Sequence, residues 1–298
     1  MLLADLQKQA VAALAALYPA QEARSIVLML CEALFGTNSY TSIVDPGYGV
    51  KDTSAFDKAM ERLSAGEPIQ YVLGRCTFGA LTFRVTPDVL IPRPETELLC
   101  REAVNVASRI QRMRKAYGKT AEPVRILDLC TGSGCIAWTL ALSVPGVKVV
   151  GVDISEGALA VARSQDFKAM LKEKGAQAPV FVQADVLDAE QDFAYGPFDL
   201  LLANPPYICE SERSEMRRNV LDYEPALALF VPDDDPLRFY RAIARWSDRF
   251  LTQEGGGMVE INESFGPQTA QVMRRAGFSG VEVRRDLAEK PRFVTYRR

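Results

Sequence analysis

Histidine is missing from all 298 residues. Its absence excludes imidazole general bases, Ser-His-Asp triads and histidine-ligated metal centres together. Cysteine is sparse and scattered: Cys31, Cys76, Cys100, Cys130, Cys135 and Cys209 include no C-x-x-C pair. Neither a zinc ribbon nor a thioredoxin-like motif is available, and a reduced, cytoplasmic setting is expected. Net charge is also slight, at −3, which gives no bulk attraction for nucleic acid. No apolar run reaches membrane-spanning length, and Asp5 and Lys8 interrupt the first segment, so neither a span nor a secretory signal is expected. What remains is an ordinary globular composition, 48% hydrophobic and 24% charged, in a chain long enough for one large or two modest domains.

The chain is organised around Asn204-Pro205-Pro206-Tyr207. The apolar run Phe198–Ala203 before it predicts a buried parallel strand. Neither proline has an N–H for a ladder, so that strand stops at Asn204 and leaves its amide at the carboxyl edge of a sheet. Open α/β sheets hold their ligands at that edge. The Asn204 side-chain oxygen and the Pro205 carbonyl can there accept both hydrogens of a planar NH2 group, and Tyr207 can cover its face. A plain strand-ending turn is the alternative.

From Val124 onward strand and helix alternate, as in a doubly wound sheet. Val124–Leu129 leads into Cys130-Thr131-Gly132-Ser133-Gly134 and a helix from Cys135 to Leu142. The two glycines permit a tight turn and close approach of a ligand to the helix N-terminus. Ala137 holds the third glycine's place of a dinucleotide fingerprint, and Cys130 and Cys135 read as packing residues. The next strand, Val147–Val152, ends at Asp153, 21 residues after Gly132 and suitably spaced for ribose hydroxyls. Its alternative is to cap the helix beginning near Ser155. Val180–Val182 leads to Asp185 and Val186, a carboxylate for an adenine amino group beside an apolar wall, or else a turn carboxylate. Three ligand-bearing strand ends and a fourth that holds an NH2 group favour S-adenosylmethionine over a dinucleotide.

Upstream, residues 2–17 and 21–35 carry apolar positions at helical spacing: Leu3, Leu6, Ala10, Leu14 and Leu17, then Ile26, Leu30 and Leu34. Pro19 divides the two and Gly36 stops the second, while a third helix starts at Thr53-Ser54 and runs to Gly66. Seven Lys/Arg against eight Asp/Glu up to residue 85 argue against a DNA-binding arm. Residues 1–66 are expected to be a helical substrate-recognition domain that holds a partner, the alternative being a domain that merely packs on the rest of the chain. Residues 67–97 are a hairpin linker, with strands expected at Gln70–Leu73 and Leu81–Val85, and residues 98–298 are the catalytic domain. The linker ends in Ile91-Pro92-Arg93-Pro94-Glu95-Thr96-Glu97. Pro94 and the two glutamates suit a helix start, and a lip over the cofactor is the functional alternative. That helix closes on Arg109, Arg112, Arg114, Lys115 and Lys119, cations that a helix C-terminus attracts in any case, with RNA contact as the alternative.

Several stretches together resemble the release-factor glutamine methyltransferases (HemK-type), within the class I S-adenosylmethionine-dependent enzymes. They are residues 66–71 (G-E-P-I-Q-Y), 91–97, 128–134, 152–155 and 204–208, with Tyr223-Glu224-Pro225 and Ala228-Leu229. The P-R-P-E-T-E run is the specific one, since N-P-P-Y also occurs in adenine methyltransferases. Cys130 stands where many members have glycine, and Asn262 where glycine usually follows Glu-Ile. The first touches loop shape; the second is expected to lie away from the chemistry.

The resemblance implies an α/β fold: a doubly wound, mostly parallel seven-stranded sheet behind a small helical domain and a β-hairpin. It implies S-adenosyl-L-methionine held by Cys130, Thr131, Gly132, Ser133, Gly134, Asp153, Ile154, Asp185, Val186 and Asn204, with no metal. The substrate would be the glutamine side-chain amide of the Gly-Gly-Gln motif in class 1 peptide-chain release factors. Asn204, Pro205, Pro206 and Tyr207 would bind it, and Asn204, Pro205 and Tyr207 would serve catalysis. The enzyme would act as a cytoplasmic monomer without direct nucleic-acid contact. Methylation of DNA adenine N6, methylation of a ribosomal-protein glutamine, and a non-enzymatic RNA- or protein-binding role are the alternatives.

Overall fold

The computed structural model describes residues 1–118, 122–286 and 288–298, which form two compact units. The first comprises Met1–Arg75 and Met216–Tyr223. It contains α1 (Leu3–Leu14), α2 (Ala20–Phe35), α3 (Thr41–Val44), α4 (Ser54–Ser64) and α5 (Ile69–Leu73). Leu3, Leu6, Ala10, Leu14, Ile26, Val27, Leu30, Phe56 and Leu63 fill its core, the spacing expected of amphipathic helices. Two apolar positions fall outside that pattern. The chain turns after Leu14, whose carbonyl accepts from the N–H of both Leu17 and Tyr18, so Tyr18 enters the core and Leu17 stays exposed. Leu34 is exposed in the last turn of α2, which Gly36 ends in the left-handed conformation.

Gln70–Leu73, expected as a strand, belongs to the one-turn helix α5. Pro68 precedes it, and Gly74 closes it at φ +66°. The hairpin exists one step later, as β1 (Arg75–Phe78) and β2 (Leu81–Arg84).

The second unit comprises Cys76–Glu215 and Glu224–Arg298. After the hairpin come α6 (Pro94–Ala116), β3 (Arg125–Leu129), α7 (Cys135–Ser143), β4 (Lys148–Asp153), α8 (Glu156–Arg163), α9 (Lys168–Lys174) and β5 (Val180–Gln183). Next are β6 (Phe198–Ala203) and the short β7 (Ile208–Cys209); α10 (Arg218–Tyr223) belongs to the first unit. The chain ends with β8 (Phe230–Val231), α11 (Arg238–Phe250), β9 (Leu251–Glu260), α12 (Gly266–Arg275), β10 (Ser279–Arg285) and β11 (Pro291–Arg297). Seven strands form one sheet in the order β10-β11-β9-β6-β3-β4-β5. The pairs β9–β6, β6–β3, β3–β4 and β4–β5 are parallel, and β11 runs antiparallel to both of its neighbours.

Every residue of β6 is buried, because helices cover both faces of the sheet. One face packs Leu99, Ala103, Ile136, Trp138 and Leu159 over Ile126, Leu200 and Leu202. The other packs Tyr240, Ile243, Trp246 and Met273 over Leu127, Leu201 and Val259. From the basic run, Arg114 is committed to structure: its guanidinium pairs with Asp199 at 2.5 Å and donates to the Pro123 carbonyl at 2.8 Å. Lys119 lies outside the described residues.

Candidate active site

Strand order reverses between β3 and β6, which opens a crevice at their carboxyl ends. The register sets what meets there. Leu129 pairs with Ala203 on one side and Val152 on the other, so Cys130 is flanked by Asn204 and Asp153. Asp153 pairs with Gln183, which puts Asp185 just beyond the next strand end. One cavity is lined by Cys130, Thr131, Gly132, Ser133, Asp153, Ile154, Asp185, Val186, Asn204 and Pro206. Gly134, Pro205 and Tyr207 are outside its lining. Gly134 adopts φ +79° at the head of α7, where an added Cβ would come within 3.0 Å of Phe181 and Trp138. Its need for glycine is one of backbone and packing.

Cys130 adopts φ +60°, the left-handed region that favours glycine, which accounts for the glycine common at this place in the family it resembles. Burial pushes its thiol well above the ordinary range, as it pushes Cys135 up to about 12, which disfavours the thiolate form. Asp153 braces the loop. Its Oδ2 accepts the Gly132 N–H at 2.9 Å and its Oδ1 the Ser155 N–H at 3.0 Å, while Ser155 itself caps α8 through the Ala158 N–H. One lone pair on each Asp153 oxygen is left over from these bonds. Burial raises its pKa, and the backbone donors oppose that rise. Asp185 accepts the Leu187 N–H at 2.8 Å through Oδ1, so a turn role coexists with a free Oδ2 beside the cavity. The Val186 carbonyl is tied to the buried Trp246 indole N–H at 3.0 Å, which fixes this strand end from behind.

Asn204 is held from the start of α6. Its Nδ2 donates to Thr96 Oγ1 at 3.2 Å, and the Thr96 hydroxyl donates to Glu260 Oε2 at 2.7 Å. Glu260 Oε1 accepts the Tyr207 hydroxyl at 3.1 Å. Thr96 and Glu260 are both buried, and Thr96 also lines the cavity. Burial pushes the Glu260 carboxyl up to about 7 against the pull of its two hydroxyl donors. Sequence reasoning named Thr96 only as part of the 91–97 run and did not single out Glu260, and the departure at Asn262, after Glu260-Ile261, was expected to lie away from the chemistry. Glu260 instead meets Tyr207, and Asn262 Nδ2 donates to the Tyr207 carbonyl at 3.2 Å. The sequence shows only a carboxylate at the end of a short apolar run; that its strand lies beside the one carrying Asn204 is seen in the fold alone. The P-R-P-E-T-E run wraps this end of the crevice. Arg93 pairs with Glu224 at 2.6 Å, whose other oxygen accepts the Ile91 N–H at 3.1 Å.

The lining suits a cationic nucleoside better than a pyrophosphate. Its charged groups are Asp88, Asp153, Asp185 and Arg93, and the arginine is already neutralised by Glu224. Ile154, Val186, Leu187, Leu90 and Phe239 supply apolar wall for a base. A carboxylate-rich cleft attracts a sulfonium and repels phosphate. Among the described residues no cluster of Cys, Asp and Glu is placed to hold a metal, and no helix is long and apolar enough to cross a membrane.

Comparison with known proteins agrees with this chemistry. Residues 5–74 match the family profile of the PrmC N-terminal domain, and residues 121–234 that of a methyltransferase domain. A release factor glutamine methyltransferase of Bacteroides thetaiotaomicron is 37% identical over 95% of both chains. One from Flavobacterium psychrophilum is 32% identical over 99% of this chain and 98% of its own. A solved protein-(glutamine-N5) methyltransferase, release factor-specific, from Alicyclobacillus acidocaldarius is 27% identical. It covers 72% of this chain and 99% of its own, with a TM-score of 0.40. The chain thus belongs to the release factor glutamine methyltransferase family and is an S-adenosylmethionine-dependent protein-glutamine N5-methyltransferase.

Proposed function

We propose that this enzyme methylates the side-chain amide of the Gly-Gly-Gln glutamine in class 1 release factors, with Asn204 as the group that holds the reacting nitrogen. The observation that carries the reading is the hydrogen bond from Asn204 Nδ2 to Thr96, which spends the amide's donor end on the protein and leaves Oδ1, in a residue that lines the cavity, as the acceptor. S-adenosylmethionine supplies an electrophilic methyl on a sulfonium and leaves as a neutral thioether. An amide nitrogen is a weak nucleophile because its lone pair is delocalised. Asn204 Oδ1 and the Pro205 carbonyl accept its two N–H groups, hold it in line with the methyl and favour the positive charge that develops. No base is needed before transfer, in keeping with a chain that lacks histidine; the N-methylated amide, strongly acidic while its nitrogen is charged, then releases its extra proton to water. Pro205 and Pro206 keep both acceptors rigid. Tyr207, tethered to Glu260, borders the amide from outside the cavity lining.

Cofactor contacts in this reading come from the 130–134 loop, from Asp153 with Ile154 for the ribose, from Asp185 with Val186 for adenine, and from Asn204 at the methionine end. Residues 1–66 serve as substrate-recognition domain, 67–97 as hairpin linker and 98–298 as catalytic domain. The enzyme acts as a cytoplasmic monomer without direct nucleic-acid contact. The test is transfer of labelled methyl to purified class 1 release factor, to the same factor with its Gly-Gly-Gln glutamine replaced by alanine, to ribosomal proteins and to duplex DNA. Label in the intact factor alone supports the reading. Label in DNA or in the glutamine-less factor overturns it.

A further inference from the structure

We propose that Glu260 is a positioning residue for methyl transfer: acting through the Thr96 hydroxyl, it fixes which end of the Asn204 amide faces the cavity. The proposal rests on Asn204 Oδ1 being the acceptor described above. An asparagine side chain turns about a broad, roughly two-fold terminal torsion, so its oxygen and nitrogen can exchange places at little cost. In this site the exchange would be fatal. An NH2 group from Asn204 would then face the NH2 group of the substrate, donor against donor.

The polarity of a short hydrogen-bond chain prevents that. As a carboxylate, Glu260 accepts through both oxygens, Oε2 from Thr96 at 2.7 Å and Oε1 from Tyr207 at 3.1 Å. A hydroxyl has one proton, and that of Thr96 is spent on Glu260. Towards Asn204 the Thr96 oxygen can only accept, so the atom that meets it at 3.2 Å must be Nδ2. Oδ1 is left for the substrate. The fold supplies the proximity. Val259 pairs with Ala203, which sets Glu260 and Asn204 side by side at two adjacent strand ends, and Thr96 reaches them from the first turn of α6. Glu260 and Thr96 are only 3% and 2% exposed, so water cannot substitute for either partner. Burying a carboxylate this deeply is unfavourable and calls for a return elsewhere. Orienting the acceptor is such a return.

The test compares Thr96→Val, Thr96→Ser and Glu260→Gln, each in the full-length enzyme and again in an Asn204→Ala background. Valine matches threonine in shape but has no hydroxyl, and serine restores it. Turnover on intact release factor, cofactor affinity by calorimetry and melting temperature are read for each. Thr96→Val should lower kcat about 10- to 100-fold, the scale of a misaligned reacting group, with cofactor Kd changed by less than about twofold. Thr96→Ser should recover most of that loss. Glu260→Gln replaces one acceptor by a donor and should lower kcat in the same sense. With Asn204 already alanine, neither change should lower kcat further, because there is no amide left to orient. Equal losses in both backgrounds would make the pair merely structural and overturn the proposal. So would wild-type turnover in Thr96→Val, or a loss in Thr96→Val with none in Glu260→Gln. Near wild-type turnover in Asn204→Ala alone would instead overturn the reading of Asn204 on which the proposal stands.

Discussion

Asp153→Ala should weaken binding of S-adenosylmethionine far more than it slows the bound complex. In the intact protein each carboxylate oxygen already accepts one backbone N–H, from Gly132 at 2.9 Å and from Ser155 at 3.0 Å. One lone pair per oxygen remains for ribose hydroxyls. A hydrogen bond to a charged acceptor contributes roughly 1.5–3 kcal/mol, so the loss of one raises Kd about 10- to 150-fold. Two such bonds share one carboxylate and do not add fully, and alanine also releases the Gly132 N–H, so about 10²-fold is the expected total. At saturating cofactor, kcat should fall less than about threefold, because this carboxylate faces the ribose and not the methyl group. Calorimetric titration with S-adenosylmethionine and with its demethylated product measures the first number, and single-turnover kinetics the second. An unchanged Kd would remove Asp153 from the cofactor site. A full-sized drop in kcat with unchanged Kd would place it at the reacting centre.

Asn204→Ala should lower turnover on the order of 10²- to 10³-fold with a modest effect on cofactor affinity, whereas Asn204→Asp keeps an acceptor and should retain more activity. Near wild-type rates in both variants would reduce Asn204 to a strand terminator. Glu260 is pushed from 4.5 to about 7 by burial, so the folded protein holds its proton more tightly than the unfolded chain. The stability this contributes is complete below about pH 4.5 and is lost as pH rises through about 7, a change on the order of 3 kcal/mol. The melting temperature of Glu260→Gln should therefore drop between pH 5 and pH 8 by roughly 5 °C less than that of the native enzyme; parallel curves would refute the shift. An isolated Gly-Gly-Gln peptide should be a far poorer substrate than an intact release factor, because one tetrapeptide pocket offers few contacts and a second surface adds binding energy. Equal kcat/KM values on both would argue that the first unit contributes nothing to recognition.

Much of this was legible because strands in a parallel sheet announce their ends. Ala203 before two prolines, Val152 before Asp153 and Leu129 before the glycine loop each mark a carboxyl edge, and the observed register sets the three side by side. Residues 70–73 misled because four apolar-rich residues fit one turn of helix as well as a strand, and only the left-handed Gly74 decides between them. Thr96 and Glu260 were hidden for another reason. They lie 108 and 56 residues from Asn204 in sequence, so only three-dimensional pairing reveals that they form its support. Asn262 escaped notice because its value depends on the Tyr207 carbonyl it meets, a partner that its neighbours in sequence do not indicate.

The reversal of strand order between β3 and β6 has a consequence for how substitutions act. Apart from Asn204, which is shared, the groups assigned to the methyl donor follow β3, β4 and β5, whereas Asn204 and Glu260 follow or end β6 and β9 on the far side of the divide. Substitutions after β4 and β5 therefore bear on affinity for the donor with little direct effect on the acceptor, while Asn204, facing both, ties the two halves together.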